Sequence, residues 1–259
     1  MSAAEVVPGL SLVIPFYNEA ACVREVCREA EQELAALGLD YELIAVDDGS
    51  RDATLERLAE LAAGSSRIRC LSWQPNHGQG AALYRGLRAA RAPLIATMDG
   101  DGQNDPADLA RLLARLRAAE PADLVVGIRA DRHDSALRKG MSRLANAVRG
   151  RVLHDGVRDS GCALKLFRRE VVDALIPIRT LYSFIPALAA AAGFRIAEVP
   201  VRHRARQGGR SSYGLGVMLW RPLVDLIGVL WFTRRRFVWP AGLDDNGASA
   251  GDRARRPGP

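Results

Sequence analysis

Short apolar segments alternate with longer amphipathic segments through the first half of the 259-residue chain, and this alternation restricts the possible folds more than any other feature. The apolar segments are LSLVI, YELIAV, IRCLSW, LIATM and ADLVVGI. Each of the first four is followed by a stretch with apolar residues at helical spacing, so the pattern is that of repeated strands and helices. It predicts an α/β protein with a mostly parallel sheet covered by helices on both faces.

Capping residues indicate where two of the predicted helices begin. Asp52 and Asp105 precede amphipathic segments and are predicted helix caps. Pro106 is suited to a first helical position because its fixed φ and missing N–H cost nothing there. These signals place helix starts directly after polar loops.

The composition indicates a folded domain without a structural zinc site or a disulfide framework. The formal net charge of +6 is a modest basic bias that suits anionic partners in general. The four cysteines form no CxxC pair and the four histidines lack zinc-binding spacing, which predicts reduced thiols. The first residues lack the basic and long apolar segments of a signal peptide, so a cytosolic location is expected.

Polar loops follow four of the predicted strands. They are PFYNE (15–19), DDGS (47–50), NHGQG (76–80) and DGDGQ (99–103). Asp, Asn and Gly are ordinary turn residues, so any one of these loops alone is weak evidence of function. Because the carboxyl ends of parallel strands meet at one edge of a sheet, where ligands bind in such folds, the four loops together predict a functional site.

Four motifs in a fixed order resemble those of a known family. VIPFYNEA, VDDGSRDAT, NHGQGAAL and MDGDGQNDP resemble the family 2 glycosyltransferases of the Rossmann-like GT-A fold, and most of all their polyprenyl-phosphate (dolichyl-phosphate mannosyltransferase-like) group. The likeness runs from about residue 10 to about residue 214. DGDG also resembles haloacid-dehalogenase-type phosphatases, but their motif follows the first strand, whereas here it follows the fourth.

The resemblance implies a nucleotide-diphosphate sugar as donor, with the first two loops holding its nucleoside. The residues that it implies in donor binding are Pro15, Tyr17, Glu19, Asp48, Gln79 and Asp99. An acidic side chain at a strand end is a suitable acceptor for base N–H or ribose hydroxyl groups. No nucleic-acid partner is expected, and the sequence does not predict the oligomeric state.

The acidic loop after the fourth strand either decorates a turn or shares a cation, and the resemblance implies the cation. Asp99, Asp101 and Gln103 match a motif that holds Mg²⁺ or Mn²⁺, and hard oxygen ligands suit such ions. The cation would neutralise the diphosphate as it leaves, which makes Asp101 a catalytic candidate. The commoner form of this motif is DADLQ, and this chain has Gly100 and Gly102 at its second and fourth positions. The proposed ligands are unchanged, but the two glycines put the stiffness of the loop in question.

A basic segment, GIRADRHDSALRKGMSRLANAVRG, is predicted to hold the acceptor, which in the resembling group is a polyprenyl phosphate. Arg129 and Arg138 are the implied phosphate-binding and catalytic residues, since fixed guanidinium groups suit an anion. Ser142 is placed with them in the acceptor site. A solvated helix face is an equal alternative for Lys139.

Two later motifs complete the predicted site. In VRDSGCALKLFRRE, Asp159 is a candidate general base for a hydroxyl acceptor, or an orienting residue for a phosphate acceptor that is already ionised. VRHRARQGGRSSYG resembles a loop that closes over the phosphates, with Arg206 and Ser211 matching its pattern. Ser212 replaces a lysine or asparagine of relatives, and Arg210 is a possible substitute for the lost contact.

The chain is expected to comprise a GT-A domain (1–214), an amphipathic interface segment (215–240) and a disordered tail (241–259). VMLWRPLVDLIGVLWFTRRRFVW is apolar but too short and too interrupted for a membrane span. It is either a buried core helix or, as its tryptophans and arginines favour, a helix in the plane of anionic lipid head groups.

These observations predict a peripheral enzyme on the cytoplasmic face of a membrane. It would be an inverting glycosyltransferase that moves a sugar from GDP-mannose or a UDP-hexose to dolichyl or undecaprenyl phosphate. One alternative keeps the fold and donor but uses a saccharide or other hydroxyl acceptor, which would make Asp159 an indispensable base. The other is a non-catalytic membrane adaptor that binds a sugar nucleotide.

Overall fold

A computed structural model describes residues 7–129, 149–204 and 215–236, without side chains at 215–223. The strands are β1 (Leu10–Phe16), β2 (Tyr41–Asp47), β3 (Ile68–Ser72), β4 (Leu94–Thr97), β5 (Leu124–Arg129), β6 (Lys165–Arg168) and β7 (Ile196–Val201). The α-helices are α1 (Val23–Ala36), α2 (Thr54–Gly64), α3 (Gln79–Ala89), α4 (Leu109–Leu116), α5 (Leu181–Ala191) and α6 (Leu215–Arg235). Residues 149–153 are also helical, and 3₁₀ turns lie at Pro106–Asp108 and Arg169–Ala174.

The seven strands form one sheet in the order β3-β2-β1-β4-β6-β5-β7. Strands β1 to β4 are mutually parallel, and β5 is parallel to β7. Strand β6 runs antiparallel between β4 and β5. The prediction of a mostly parallel α/β sheet is therefore confirmed, with one reversed strand that the alternation did not indicate.

Two apolar cores lie on the two faces of the sheet. On one face α1, α2 and α4 pack against alternate residues of the strands, with Leu12 and Leu43 fully buried among them. On the other face α3, α5 and α6 cover the opposite residues, which include Val13 and Ile44. Burial on both faces explains why the strands read as nearly continuous apolar runs.

The two predicted helix caps are placed differently by the structure. Asp105 is confirmed as a cap, because its carboxylate accepts the Ala107 N–H at 3.1 Å at the start of the turn that leads into α4. Asp52 lies one residue before the N-cap of α2, and its carboxylate accepts the Thr54 N–H at 3.0 Å. Both aspartates thus satisfy N–H groups that the first helical turn leaves unbonded.

Helix α6 packs on the domain through one face and exposes the other. The Asp225 carboxylate accepts hydrogen bonds from the N–H and hydroxyl groups of Thr180, at 3.0 and 2.5 Å, and Val229 is buried. The outer face carries three exposed apolar residues at helical spacing, Val224, Ile227 and Trp231. None of the helices in the described ranges has both the length and the apolar character that crossing a membrane requires.

Candidate active site at the carboxyl edge of the sheet

The structure brings the four polar loops together at the carboxyl edge of the parallel strands. The first two loops are joined because the Asn18 N–H donates to the Ser50 hydroxyl at 3.0 Å and the Arg51 N–H donates to the Asn18 side-chain oxygen at 2.8 Å. The last two are joined because the Gln79 side chain donates to Asp99 at 2.6 Å. A ligand at this edge would therefore contact several loops at once.

Asp48 organises the loop that follows β3. Its buried carboxylate accepts hydrogen bonds from the Trp73 indole at 3.0 Å and the Asn76 side-chain amide at 2.7 Å. It also accepts the backbone N–H groups of His77 and Gly78, at 2.9 and 2.7 Å. A carboxylate offers about four acceptor positions, and these four bonds fill them, so a nucleoside that bound Asp48 would have to displace one of them. Its predicted contact with the donor stays a prediction.

Glu19 and the metal loop are neighbours through Cys22. The Cys22 thiol lies 3.5 Å from the Glu19 carboxylate and 3.3 Å from the Gly100 carbonyl oxygen. Glu19 is buried, while Tyr17 and Pro15 are half-buried at the end of β1. The first loop thus packs directly beneath the acidic loop, where the predicted donor contacts would be needed.

Glycine is required at position 100 by close packing. A Cβ there would lie 2.4 Å from the Phe16 ring and 2.7 Å from the Pro15 carbonyl oxygen. Gly102 has a φ of +75°, a backbone conformation that glycine adopts without strain. The two glycines of the DGDGQ loop therefore fit its tight path over β1.

The predicted metal ligands lie in a loop braced by its own polar groups. The Asp99 N–H donates to the Asn104 side chain at 3.0 Å, and the Gln103 N–H donates to the Asp101 carboxylate at 3.1 Å. Among the described residues, no group of three or more His, Cys, Asp or Glu side chains is placed to hold a metal ion. The loop offers two carboxylates and an amide oxygen, a set that suits a cation completed by phosphates and water.

Arg129 and Asp159 form a paired group beside this loop, although they are thirty residues apart. Arg129 Nε and Nη2 donate to the two Asp159 oxygens at 2.8 and 2.7 Å, and the Arg129 N–H donates at 3.2 Å. Burial lowers the pKa of Arg129, but the pairing with Asp159 outweighs it and raises that pKa above its ordinary value. The two side chains are 16% and 7% exposed, so the guanidinium remains accessible at one edge.

Two residues near the site were missed by the sequence reasoning. Lys165 is buried at the start of β6, where it adjoins the cavity that Asp99 and Gln79 also line. His203 forms a β-bridge with Asn104, and its Nε2 lies 3.5 Å from the side-chain nitrogen of Gln103. The VRHRAR sequence was a usable signal for His203, since it forms the first part of the predicted phosphate loop.

Several predicted residues lie outside the part of the chain that the structure describes. They are Arg138, Lys139, Ser142, Arg206, Arg210, Ser211 and Ser212. Their assignments to the acceptor and phosphate sites stay predictions. The last described residue of the predicted phosphate loop is Arg204. Its N–H donates to the Gln103 carbonyl at 2.9 Å, and its guanidinium contacts Asp105 at 3.0 Å.

Comparisons with known proteins agree with this architecture. Residues 11–176 match the model of glycosyl transferase family 2. The chain is 38% identical over 229 residues to dodecaprenyl-phosphate galacturonate synthase of Rhizobium johnstonii, covering 87% of this chain and 67% of that protein. It is 37% identical over 230 residues to undecaprenyl-phosphate 4-deoxy-4-formamido-L-arabinose transferase of Pseudomonas aeruginosa, covering 88% and 67%.

A solved structure shares the fold at lower sequence identity. Glucosyl-3-phosphoglycerate synthase of Mycobacterium tuberculosis, in complex with Mn²⁺, uridine diphosphate and phosphoglyceric acid, superposes with a TM-score of 0.67. The two proteins are 22% identical, and the match covers 91% of this chain and 81% of that one. With the family match over most of the sheet, the chain belongs to glycosyltransferase family 2 and is a glycosyltransferase of the GT-A fold.

Proposed function

We propose that this glycosyltransferase moves a sugar from a nucleotide-diphosphate sugar, GDP-mannose or a UDP-hexose, to a polyprenyl phosphate with inversion at the anomeric carbon. The observation that carries the proposal is the Arg129–Asp159 pair beside the acidic loop. A buried guanidinium whose charge is fixed by a carboxylate is a suitable contact for an anionic acceptor. The names of the two similar proteins, both of which act on prenyl phosphates, support the same acceptor class.

The acidic loop is suited to a divalent cation that accompanies the donor. Asp99 and Asp101 would hold Mg²⁺ or Mn²⁺, with Gln103 beside them, because oxygen ligands at a loop with two carboxylates match the preference of these ions. When bound, the cation supplies charge stabilisation for the leaving diphosphate. The Gln79 side chain fixes one Asp99 oxygen at 2.6 Å and so limits the directions in which that carboxylate can turn.

With a phosphate acceptor, the protein side chains need only bind and orient the acceptor. A phosphate acceptor is already ionised at neutral pH, so its oxygen attacks the anomeric carbon without a general base. Asp159 accepts two hydrogen bonds from the Arg129 guanidinium, which holds that group in one orientation. We therefore assign Arg129 to acceptor binding and Asp159 to the positioning of Arg129.

The pairing argues against the hydroxyl-acceptor alternative. A general base needs an oxygen that can take a proton from the acceptor, and both Asp159 oxygens already accept hydrogen bonds from the Arg129 guanidinium. An enzyme of that kind would need another base. The adaptor alternative needs only a donor pocket and predicts binding without turnover.

Helix α6 supports the proposal that the enzyme works at an anionic membrane surface. Val224, Ile227 and Trp231 are 49%, 69% and 64% exposed on its outer face, and Arg234 and Arg235 follow them. Apolar and aromatic residues followed by basic ones favour a position among lipid head groups. The inner face contacts the domain, so such binding would bring the site close to a lipid acceptor. We place this surface at the cytoplasmic leaflet, where a nucleotide-sugar donor would be available.

One incubation separates the three functions. Purified protein is mixed with radiolabelled GDP-mannose, UDP-glucose or UDP-N-acetylglucosamine, with or without polyprenyl phosphate in detergent, and the organic phase is counted. Label that enters the organic phase only with polyprenyl phosphate supports the proposal and identifies the donor. Transfer only to saccharides would favour the hydroxyl-acceptor function, and binding without turnover would favour the adaptor.

A further inference from the structure

Lys165 is a buried cation bonded to two carbonyl oxygens of neighbouring elements. Its side chain is 1% exposed at the start of β6, opposite Thr97 of β4 and Val126 of β5. Its ammonium group donates to the Cys162 carbonyl and, at 2.9 Å, to the Tyr182 carbonyl of α5. It therefore connects the segment before β6 to the helix that covers the sheet.

The segment that Lys165 holds is the one that carries Asp159. Residues 159–164 run from the Arg129 pair to β6, and the Thr97 hydroxyl donates to the Ala163 carbonyl at 2.6 Å within the same stretch. The Leu164 carbonyl accepts the Gly127 N–H at 3.0 Å. Consecutive carbonyls at 162, 163 and 164 are thus each bound by a different partner, and Lys165 supplies the charged one.

A buried lysine at this position lowers the stability of the fold in a way that an apolar residue would not. Burial of an ammonium group is unfavourable by several kcal/mol unless it is paired, and here both acceptors are neutral carbonyls. Burial lowers the pKa of Lys165 to about 8, although the nearby charges of Asp99 and Asp159 raise it. The amine keeps its proton at neutral pH, and with it the donors that hold the segment.

Lys165 also adjoins the donor side of the site. It lines a cavity of about 10 Å³ together with Asp99 and Gln79. That volume holds about one water molecule, so little solvent screens the ammonium group from the carboxylate. The Lys165 side chain is thus close enough to interact electrostatically with both Asp99 of the acidic loop and Asp159 of the pair.

We propose that Lys165 is a positioning residue for acceptor binding, which fixes the 159–164 segment so that Asp159 holds the Arg129 guanidinium towards the acceptor phosphate. The assignment of Arg129 and Asp159 to the acceptor rests on the proposed function. Lys165 acts through them and through backbone carbonyls. Its loss should therefore affect the acceptor far more than the donor.

The test compares Lys165→Met with Arg169→Met, a matched control. Arg169 follows β6 and also donates to two backbone carbonyls, those of Ala90 and Ala92 at the opposite end of β4. Lys165→Met is expected to raise the KM for polyprenyl phosphate at least tenfold and to leave the KM for the sugar nucleotide within about twofold. Arg169→Met should lower the melting temperature without changing the ratio of the two KM values.

A second measurement needs no substrate. Amide hydrogen exchange of peptides covering 159–164 in the ligand-free protein should be at least tenfold faster in Lys165→Met than in wild type, and unchanged in Arg169→Met. If wild type transferred nothing to polyprenyl phosphate, the proposed function would fail, and the exchange rates would still decide whether Lys165 holds this segment.

Two results would overturn the proposal. One is an equal rise of both KM values in Lys165→Met, and the other is wild-type exchange across 159–164. If Lys165→Met does not fold, Lys165→Gln, which keeps a hydrogen-bond donor but loses the charge, takes its place. It should also raise the KM for polyprenyl phosphate more than the KM for the sugar nucleotide, by a smaller factor. Equal donor and acceptor effects in that variant would be equally decisive against the proposal.

Discussion

Arg129 and Asp159 meet side by side, with parallel hydrogen bonds of 2.8 and 2.7 Å that join β5 to the segment before β6. This geometry uses both carboxylate oxygens and two of the guanidinium nitrogens. Under the proposed function, this contact favours the orienting role of Asp159 over the role of a general base, the two roles that the sequence left open.

Asp159→Asn should therefore reduce transfer only in part. With an ionised acceptor we expect a loss of about tenfold in kcat/KM for the acceptor and unchanged donor binding, whereas loss of a general base would cost roughly two to four orders of magnitude. Asp123→Asn is the matched control, because Asp123 pairs with Arg195 at the other end of β5. A loss above a hundredfold with normal donor binding would show that Asp159 is the base.

Asp101→Asn should nearly abolish transfer and leave the fold intact. Under the proposed function, the Asp101 carboxylate binds the cation that stabilises the leaving diphosphate, and an amide is a weaker ligand. EDTA should reproduce the effect on wild type, and added Mg²⁺ or Mn²⁺ should reverse it. Steady-state transfer at saturating donor measures the change, and circular dichroism checks the fold. Full turnover in EDTA would remove the metal assignment.

Glu42 should make the domain less stable in acid. Burial raises its pKa, but hydrogen bonds from Ser11, Arg69 and Arg91 outweigh this and hold that pKa below its ordinary value of 4.5. A carboxyl whose pKa is lower in the folded state stabilises the fold fully above the unfolded pKa. That stabilisation is lost as the pH falls through the folded pKa.

Urea unfolding of Glu42→Gln measures this contribution. The variant should be less stable than wild type by about 1 to 3 kcal/mol at pH 7, the range for hydrogen bonds to a charged group. The difference should shrink as the pH falls below 4.5. Glu60→Gln, which breaks an exposed pair with Arg24, should change stability little at either pH. A difference that stayed constant down to pH 3 would rule out this role for Glu42.

The outer face of α6 should determine membrane binding. In flotation with anionic liposomes at low salt, Ile227→Glu and Trp231→Glu are expected to keep the protein at the bottom of the gradient, while wild type floats. High salt should release wild type only in part, because apolar contacts are not screened. Val7→Glu is the control, since Val7 is equally exposed at 67% but lies far from α6 in the chain. Equal flotation of all variants would exclude this surface.

The sequence predicted the parallel half of the fold well because each strand there ends in its own polar loop. It did not predict β6, whose four residues KLFR give no sign of strand direction. Strand direction depends on the partners β4 and β5, which are distant in the chain. The burial of Lys165 was hidden for the same reason, since a lysine in a short strand usually faces solvent.

The candidate site was predicted as far as local motifs reach. Asp99, Asp101 and Gln103 could be proposed as metal ligands because they are close together in sequence, and that assignment stays a prediction. The need for Gly100 could be explained only when the Phe16 ring was placed beside it. The Arg129–Asp159 pair could not be predicted, because a contact between residues thirty apart needs the register of β5 and β6.

The reversed strand β6 has a consequence for which parts of the chain build the predicted site. The loops predicted to hold the nucleotide sugar all precede β5, whereas the Asp159 segment enters the same edge from the opposite direction. The two stretches are held together by the pairing of β4 with β6 and by Arg204, which contacts Glu29 and Asp105. The residues predicted to bind the donor and those predicted to bind the acceptor thus lie on separate stretches of the chain that meet at one edge of the sheet.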